Sequence, residues 1–146
     1  MLEKILQLVF GENSEKWSKM MFITEKKVAF YSHEKLPPHF YFPDKPYAIL
    51  HEFGHFIFMP DEYKYLKNYG LELGNIKYIT EAETFAHTLA VKFEREVLGI
   101  EENPKFLKID GEAVELKEAA IKNTTSITSY VAEQMESKLS LYNYST

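Results

Sequence analysis

The chain has 146 residues, 45% of them apolar and 15% aromatic, which is enough to fill the core of one compact domain. Its formal net charge of −5 and its single arginine, Arg95, argue against a nucleic-acid-binding surface, which normally carries an excess of basic groups. The chain contains no cysteine, so disulfides, cysteine-ligated metals and thiol catalysis are excluded.

No stretch of the sequence approaches the roughly 20 consecutive apolar residues that a membrane-spanning helix needs. The first ten residues, MLEKILQLVF, include the charged Glu3 and Lys4 and lack both the long apolar segment and the small-residue cleavage site of a signal peptide. We therefore expect a cytoplasmic protein with no membrane span, folded as a single domain over residues 1–146.

The chain begins with a predicted helix and two predicted strands. Apolar residues recur at helical spacing from Leu2 to Phe10, and Gly11 should end that helix. The segments KMMFIT (19–24) and KKVAFYS (26–32) are typical of strands, and we expect them to form a hairpin. The next segment, HEKLPPHFYFPDKP (33–46), is interpreted as an irregular connector, because its prolines disfavour both helix and strand.

Two long helices are predicted in the middle of the chain. The first should run from about Lys45 to Met59, with Asp44 as its N-cap and Pro60 as its stop. After a connector, the second should run from about Thr80 to Leu98 and end at Gly99, with a wide apolar stripe along one side.

The remaining elements complete the expected fold. The segment FLKIDGEAVEL (106–116) predicts a hairpin that turns at Asp110 and Gly111, and a last helix should cover about Ser126 to Leu141. We therefore predict an α+β fold, in which a short antiparallel sheet packs against the two long helices. The first of these helices carries a candidate active-site motif, and the second carries a further candidate ligand.

The first long helix contains HEFGH at residues 51–55, which fits the pattern H-E-x-x-H. Four residues advance a helix by about 400°, so His51 and His55 lie on the same face, one turn apart. Two imidazoles at this spacing can bind one zinc ion. Because apolar residues flank the motif on both sides, burying its polar groups is costly unless a metal ion satisfies them.

Two further residues of the motif fit this interpretation. Glu52 would lie beside the open coordination position, where it could act as general base on a water molecule that attacks a carbonyl. Gly54 is unfavourable in a helix, and its presence is explained if another backbone approaches closely at this point.

The third ligand is predicted in EAETFAHTLA (81–90), on the second long helix. Here the sequence resembles the zincin metallopeptidases, specifically the gluzincin branch, in which a glutamate from a later helix completes the zinc site. Small members of that branch, of the ImmA/IrrE type and the HtpX-like group, carry E-x-x-A-x-x-[FL]-A on this helix, and residues 83–90 fit that pattern. The resemblance covers residues 47–90 at most, and it implies that Glu83 is a zinc ligand.

Two neighbours of Glu83 have open roles. His87 lies one turn later and could hydrogen-bond a metal ligand, face the substrate or be a solvated helix residue. Glu81 is an alternative ligand, although it lies farther from the apolar stripe than Glu83 and suits a solvated role better.

The metzincins, another zincin branch, suggest a different third ligand. Asp61 stands ten residues after His51, where that branch places its last ligand. Phe58, however, occupies the position where the metzincins need glycine for a sharp turn, which disfavours this interpretation.

Residues outside the two helices could also contribute. If the connector folds over the site, His39 or a tyrosine could stabilise the oxyanion of the reaction, although no spacing singles one out. By resemblance to the zincins, the strand at residues 27–32 would bind an extended peptide through main-chain hydrogen bonds.

The sequence thus predicts a zinc-dependent metallopeptidase that acts on a peptide or protein substrate. His51, His55 and Glu83 would bind zinc, and Glu52 would be the general base. The alternative is a non-catalytic protein of the same fold, in which zinc stabilises a regulatory or binding domain. Glu52 favours the enzyme, because a purely structural zinc site has four protein ligands and needs no base.

Overall fold

The computed structural model describes residues 1–25, 29–33, 36–59, 76–100 and 126–142. These residues contain the helices α1 (Leu2–Phe10), α2 (Ser14–Ser18), α3 (Pro46–Phe58), α4 (Ile76–Phe93) and α5 (Ile127–Leu139). A 3-10 turn (Gly11–Asn13) joins α1 to α2, and a π-helical turn (Glu94–Leu98) follows α4. The strands β1 (Met21–Ile23), β2 (Ala29–His33) and β3 (Leu36–Phe42) form one small sheet. The predicted α+β class is confirmed.

The sheet differs from the prediction in its pairing. Its strand order is β1–β3–β2, with β1 parallel and β2 antiparallel to β3. A wholly antiparallel sheet with a hairpin between β1 and β2 is therefore wrong, because β3 lies between these two strands. Alternating apolar residues identify a strand locally, but the choice of its partner depends on contacts with residues that are distant in sequence.

Strand β3 lies within residues 33–46, which were predicted as an irregular connector. Pro37 and Pro38 separate the paired residues Leu36 and His39, whereas the partners of these two residues on β2 are separated by one residue. Both prolines therefore lie in a bulge, where no ladder hydrogen bond is required of them. Strand β1 pairs with β3 only from Phe40 onwards. The prolines therefore interrupt the pairing of β3 with neither β1 nor β2.

The centre of the core is α3. Phe53 meets Phe40 and Phe42 of the sheet edge-on, with ring centroids 6.0 and 6.3 Å apart, and Phe56 meets Phe40 at 5.2 Å. Helices α1 and α5 also contact α3, and α4 packs along its remaining side. Full burial of each phenylalanine stabilises the fold by about 2–3 kcal/mol. The helix that carries the H-E-x-x-H motif is thus held from several directions.

Most helix boundaries agree with the prediction. Helices α1, α3 and α5 begin and end within two residues of the expected positions. The Gly11 backbone ends α1 at φ 50°, and the Ser126 side chain caps α5 by accepting a hydrogen bond from the Ser129 N–H. Helix α4 begins four residues before the predicted Thr80, and its helical extension ends as predicted at Gly99, with φ 68°. Helix α2 was not predicted.

Asp44 does not cap α3, contrary to the prediction. No side-chain capping bond is present at the N-terminus of α3, which begins with Pro46, a residue with no N–H to satisfy. The Asp44 carboxylate instead accepts hydrogen bonds from the Leu2 backbone N–H at 2.7 Å and from the Met1 amino group at 3.3 Å. Asp44 therefore joins the start of α1 to the start of α3.

Two predictions lie outside the described residues: the hairpin at 106–116 and most of the connector that follows α3. Among the described helices, none combines the length and the apolar composition that crossing a membrane requires.

Candidate metal centre

Helix α3 presents both histidines of the motif on the side that faces α4. The Nε2 atoms of His51 and His55 are 3.1 Å apart, and their ring centroids are 4.8 Å apart. Each side chain is only 14% exposed. The predicted pairing of the two imidazoles is present because α3 stays regular from Pro46 to Phe58.

Helix α4 places the carboxylate of Glu83 against both imidazoles. Glu83 Oε2 lies 2.9 Å from His51 Nε2, and Glu83 Oε1 lies 3.1 Å from His55 Nε2. One ligand atom from each of the three residues lies within 4.8 Å of the other two. We refer to His51, His55 and Glu83 as the His–His–Glu group.

Gly54 allows the two helices to approach this closely. A Cβ atom added at Gly54 would lie 2.6 Å from Ala86 Cα, 3.0 Å from Ala86 Cβ and 3.4 Å from Leu89 Cδ2. Ala86 lies three residues after Glu83, and Gly54 lies one residue before His55, so this contact is next to the His–His–Glu group. The interpretation of Gly54 as a point of close backbone approach is confirmed.

The distances within the His–His–Glu group are close to those around a small divalent cation, where bonds of about 2.0–2.1 Å at tetrahedral angles put ligand atoms about 3.4 Å apart. The two Nε2 atoms are 3.1 Å apart, and the two oxygens of Glu83 lie 2.9 Å from His51 Nε2 and 3.1 Å from His55 Nε2, a few tenths of an ångström shorter. A cation also explains why two imidazole nitrogens and a carboxylate converge, since two neutral nitrogens can share at most one N–H···N bond. Two imidazoles and a carboxylate are ligands typical of zinc.

The charge of Glu83 suits a cation. Burial raises the pKa of Glu83, but hydrogen bonds and charge interactions with His51 and His55 outweigh burial, so the pKa is lowered well below its ordinary value. The side chain of Glu83 is 37% exposed, so the group is accessible from one side.

Glu52 is buried beside the His–His–Glu group and is 6% exposed. Burial raises its pKa to about 7, with opposing contributions from His51, which lowers it, and Glu83, which raises it. A carboxyl group with a pKa near neutrality can both accept and release a proton at physiological pH.

A hydrogen bond between Tyr47 and His87, which was not predicted, lies next to the group. Tyr47 Oη and His87 Nδ1 are 2.6 Å apart. His87 is 8% exposed, so the solvated role considered for it is wrong. The missed signal was the position of Tyr47 four residues before His51, which puts both on the same face of α3.

The alternative ligands do not join the group in the described part of the chain. Glu81 is partly exposed and lies outside the His–His–Glu group. Asp61 lies outside the described residues. Phe58 is helical and its ring lies 5.3 Å from that of Phe85, so the sharp turn that a metzincin needs is absent at this position.

His39 lies away from the metal centre. It belongs to β3, where Phe40 and Phe42 face α3 and are fully buried, so His39 is on the opposite face of the sheet. There its ring meets the exposed Phe22 edge-on, with centroids 5.5 Å apart. The suggestion that His39 stabilises an oxyanion is therefore wrong.

Comparison of the chain with protein-family models, with curated proteins and with solved structures gave no match. The fold and the site define the protein only as an α+β protein whose His–His–Glu group could hold a metal ion.

Proposed function

We propose that this protein is a zinc-dependent metallopeptidase, in which His51, His55 and Glu83 bind the metal and Glu52 is the general base. The observation that carries the proposal is the position of the Glu83 carboxylate, within 3.1 Å of the Nε2 atoms of both histidines. It combines the H-E-x-x-H motif of α3 with a carboxylate from a later helix, as in the gluzincins that the sequence resembles.

The proposed chemistry divides between the metal and the chain. When bound, zinc would polarise a peptide carbonyl and lower the pKa of a water molecule towards neutrality. Glu52 follows His51 directly in the sequence, and its buried carboxyl can accept the proton of the attacking water and pass it to the leaving amine. The ionised Glu83 would balance one of the two positive charges of a bound zinc ion.

The sheet offers a binding edge for an extended peptide. Strand β2 covers most of residues 27–32 and contacts α3, and among the described residues it pairs with β3 on one side only. Main-chain N–H and C=O groups on the outer side of such an edge strand can pair with a substrate backbone, largely independently of its side chains. This geometry supports a peptide or protein as the substrate class.

Two observations argue against the alternative, a non-catalytic protein that zinc stabilises. A structural zinc site has four protein ligands and is closed, whereas the described residues supply three and Glu83 is partly exposed. A structural site also gives no reason to bury Glu52. Both observations favour the enzyme.

The ligand assignment is tested by comparing Glu83→Gln with Glu81→Gln. We expect Glu83→Gln to weaken zinc affinity more than about 100-fold, since even residues that only hydrogen-bond zinc ligands contribute about 10–100-fold. Glu81→Gln is the matched control, because it makes the same change two residues away on α4 and should bind zinc like the wild type. Zinc affinity is measured by competition with a chromophoric chelator. If Glu81→Gln caused the larger loss, the third ligand would have to be reassigned.

A further inference from the structure

Three aromatic rings follow one another along the side of α3 that faces α4. Tyr47, His51 and His55 are spaced four residues apart, with ring centroids 5.4 Å apart for the first pair and 4.8 Å for the second. Helix α4 contacts this row twice, through Glu83 at both imidazoles and, one turn later, through His87 at the Tyr47 hydroxyl.

Among the described residues, the His51 imidazole lacks the hydrogen bond that usually orients a zinc-binding histidine. Zinc-binding histidines almost always donate a hydrogen bond from the nitrogen that does not bind metal, and this bond fixes the plane of the ring. His51 Nδ1 is buried and has no hydrogen-bond partner among the described residues. Within that part of the chain, the contact of Nε2 with Glu83 and the ring contacts with Tyr47 and His55 limit rotation of the His51 imidazole.

The hydrogen bond with His87 holds Tyr47 in place. A tyrosine hydroxyl keeps its proton at neutral pH, because its ordinary pKa is about 10. Burial and the nearby His51 lower the pKa of His87, which favours its neutral ring. The Tyr47 hydroxyl therefore donates to His87 Nδ1 and connects the first turn of α3 to α4.

We propose that Tyr47 and His87 are positioning residues of the metal centre: their hydrogen bond holds the Tyr47 ring against the His51 imidazole and so directs His51 Nε2 towards Glu83. This inference rests on the metal-binding part of the proposed function and does not depend on peptidase activity. Metal sites accept ligand distances only within about 0.2 Å of their ordinary values, so a small rotation of one imidazole lowers affinity.

Tyr47→Phe is the most direct test, because it keeps the ring and removes only the hydroxyl. We expect a loss of zinc affinity of about 10-fold, at the lower end of the range for groups that orient zinc ligands. The visible absorption spectrum of the cobalt-loaded protein should also change, since it reports ligand geometry. Tyr130→Phe is the matched control: it makes the same change at a partly buried tyrosine of α5 and should alter neither property.

A second pair of variants tests the hydrogen bond itself. His87→Leu should cause a loss similar to that of Tyr47→Phe, and the double variant should lose no more than either single variant, because both remove the same bond. His87→Gln keeps an acceptor for the Tyr47 hydroxyl and should retain more affinity than His87→Leu. It is also the less disruptive change, should His87→Leu fail to fold.

The outcomes separate this inference from the proposed function. If the wild type binds zinc, but Tyr47→Phe leaves its affinity and the cobalt spectrum unchanged, the positioning role is wrong and the ligand assignment stands. If the two single losses add in the double variant, the residues act separately and the proposal is overturned. If the wild type binds neither zinc nor cobalt, the proposed function and this inference both fail.

Discussion

Glu52→Gln should slow peptide hydrolysis at least about 100-fold while zinc affinity stays at the wild-type value. The amide keeps the shape of the carboxyl group but cannot accept a proton, and a general base typically contributes about 10²–10⁴-fold to the rate. We therefore expect kcat/KM to fall at least about 100-fold. The substrate for this measurement is a mixture of synthetic peptides of diverse sequence, with new chain ends detected by mass spectrometry.

The fold should tolerate this change. Glu52 is 6% exposed and burial raises its pKa to about 7, so the site already accommodates an uncharged side chain for part of the time. Glu81→Gln is again the matched control and should hydrolyse the same peptides at the wild-type rate. Hydrolysis by zinc-bound Glu52→Gln would exclude Glu52 as the base. Loss of zinc from this variant would instead give Glu52 a structural role.

Gly54→Ala should destabilise the protein and also weaken metal binding. The new methyl group would lie 2.6 Å from Ala86 Cα, a backbone atom that cannot rotate away. Restoring an ordinary carbon–carbon contact of about 3.5 Å requires α3 and α4 to separate by about 0.9 Å. That shift is several times the roughly 0.2 Å that metal–ligand distances tolerate, so we expect zinc affinity to fall at least about 100-fold.

The effect of Gly54→Ala on stability is smaller than its effect on zinc binding. Overpacking of this kind costs about 1–3 kcal/mol, and alanine recovers about 1 kcal/mol through its better helix propensity. Chemical denaturation of the metal-free protein should therefore show a loss of at most about 2 kcal/mol, with the protein still folded. Zinc affinity is measured separately by chelator competition.

Two controls isolate the contact between the helices. Gly99→Ala makes the same change at the end of the helical segment that follows α4, where φ is 68° and where, apart from the chain neighbours of Gly99, no atom of the described residues lies within 4 Å of the added carbon. It should cost about 1 kcal/mol of stability through backbone strain and leave zinc affinity unchanged. Gly54→Ala combined with Ala86→Gly should not be rescued, because Ala86 Cα remains. Wild-type zinc affinity in Gly54→Ala would show that the close approach does not position Glu83.

Features that depend on neighbours in sequence could be predicted. The spacing of His51 and His55 follows from helix geometry, and the ends of the helices follow from residues such as Gly11 and Ser126, which act locally. Glu83 was reached through the resemblance rather than through geometry, and Gly54 supplied an independent sign that a second backbone lies close to α3.

Features that depend on residues distant in sequence were missed. Pro37 and Pro38 normally argue against a strand, but a bulge accommodates them and β3 forms because Phe40 and Phe42 can pack on α3. Asp44 is a residue type that often caps helices, but its carboxylate accepts hydrogen bonds at the start of α1, and Lys45 occupies the N-cap position of α3. No local pattern reports either choice.

Only one partner of the hydrogen bond between Tyr47 and His87 was noted from the sequence. His87 was noted one turn after Glu83, but nothing in the sequence of α4 indicates which residue of α3 it meets. That contact depends on how the two helices cross, and the crossing is set by the close approach of Gly54 to Ala86. Residue spacing within one helix therefore identifies side chains that could take part in the site. Which side chains of α3 and α4 contact each other depends on how the two helices pack.

The central claim is that a zinc ion binds between α3 and α4 at the His–His–Glu group. The most direct measurement is the metal content of the protein purified without added metal and then dialysed against trace zinc, determined by inductively coupled plasma mass spectrometry. We predict close to one zinc per chain in the wild type and almost none in His51→Ala. A wild-type chain without zinc, or a His51→Ala variant that retains it, would contradict the claim.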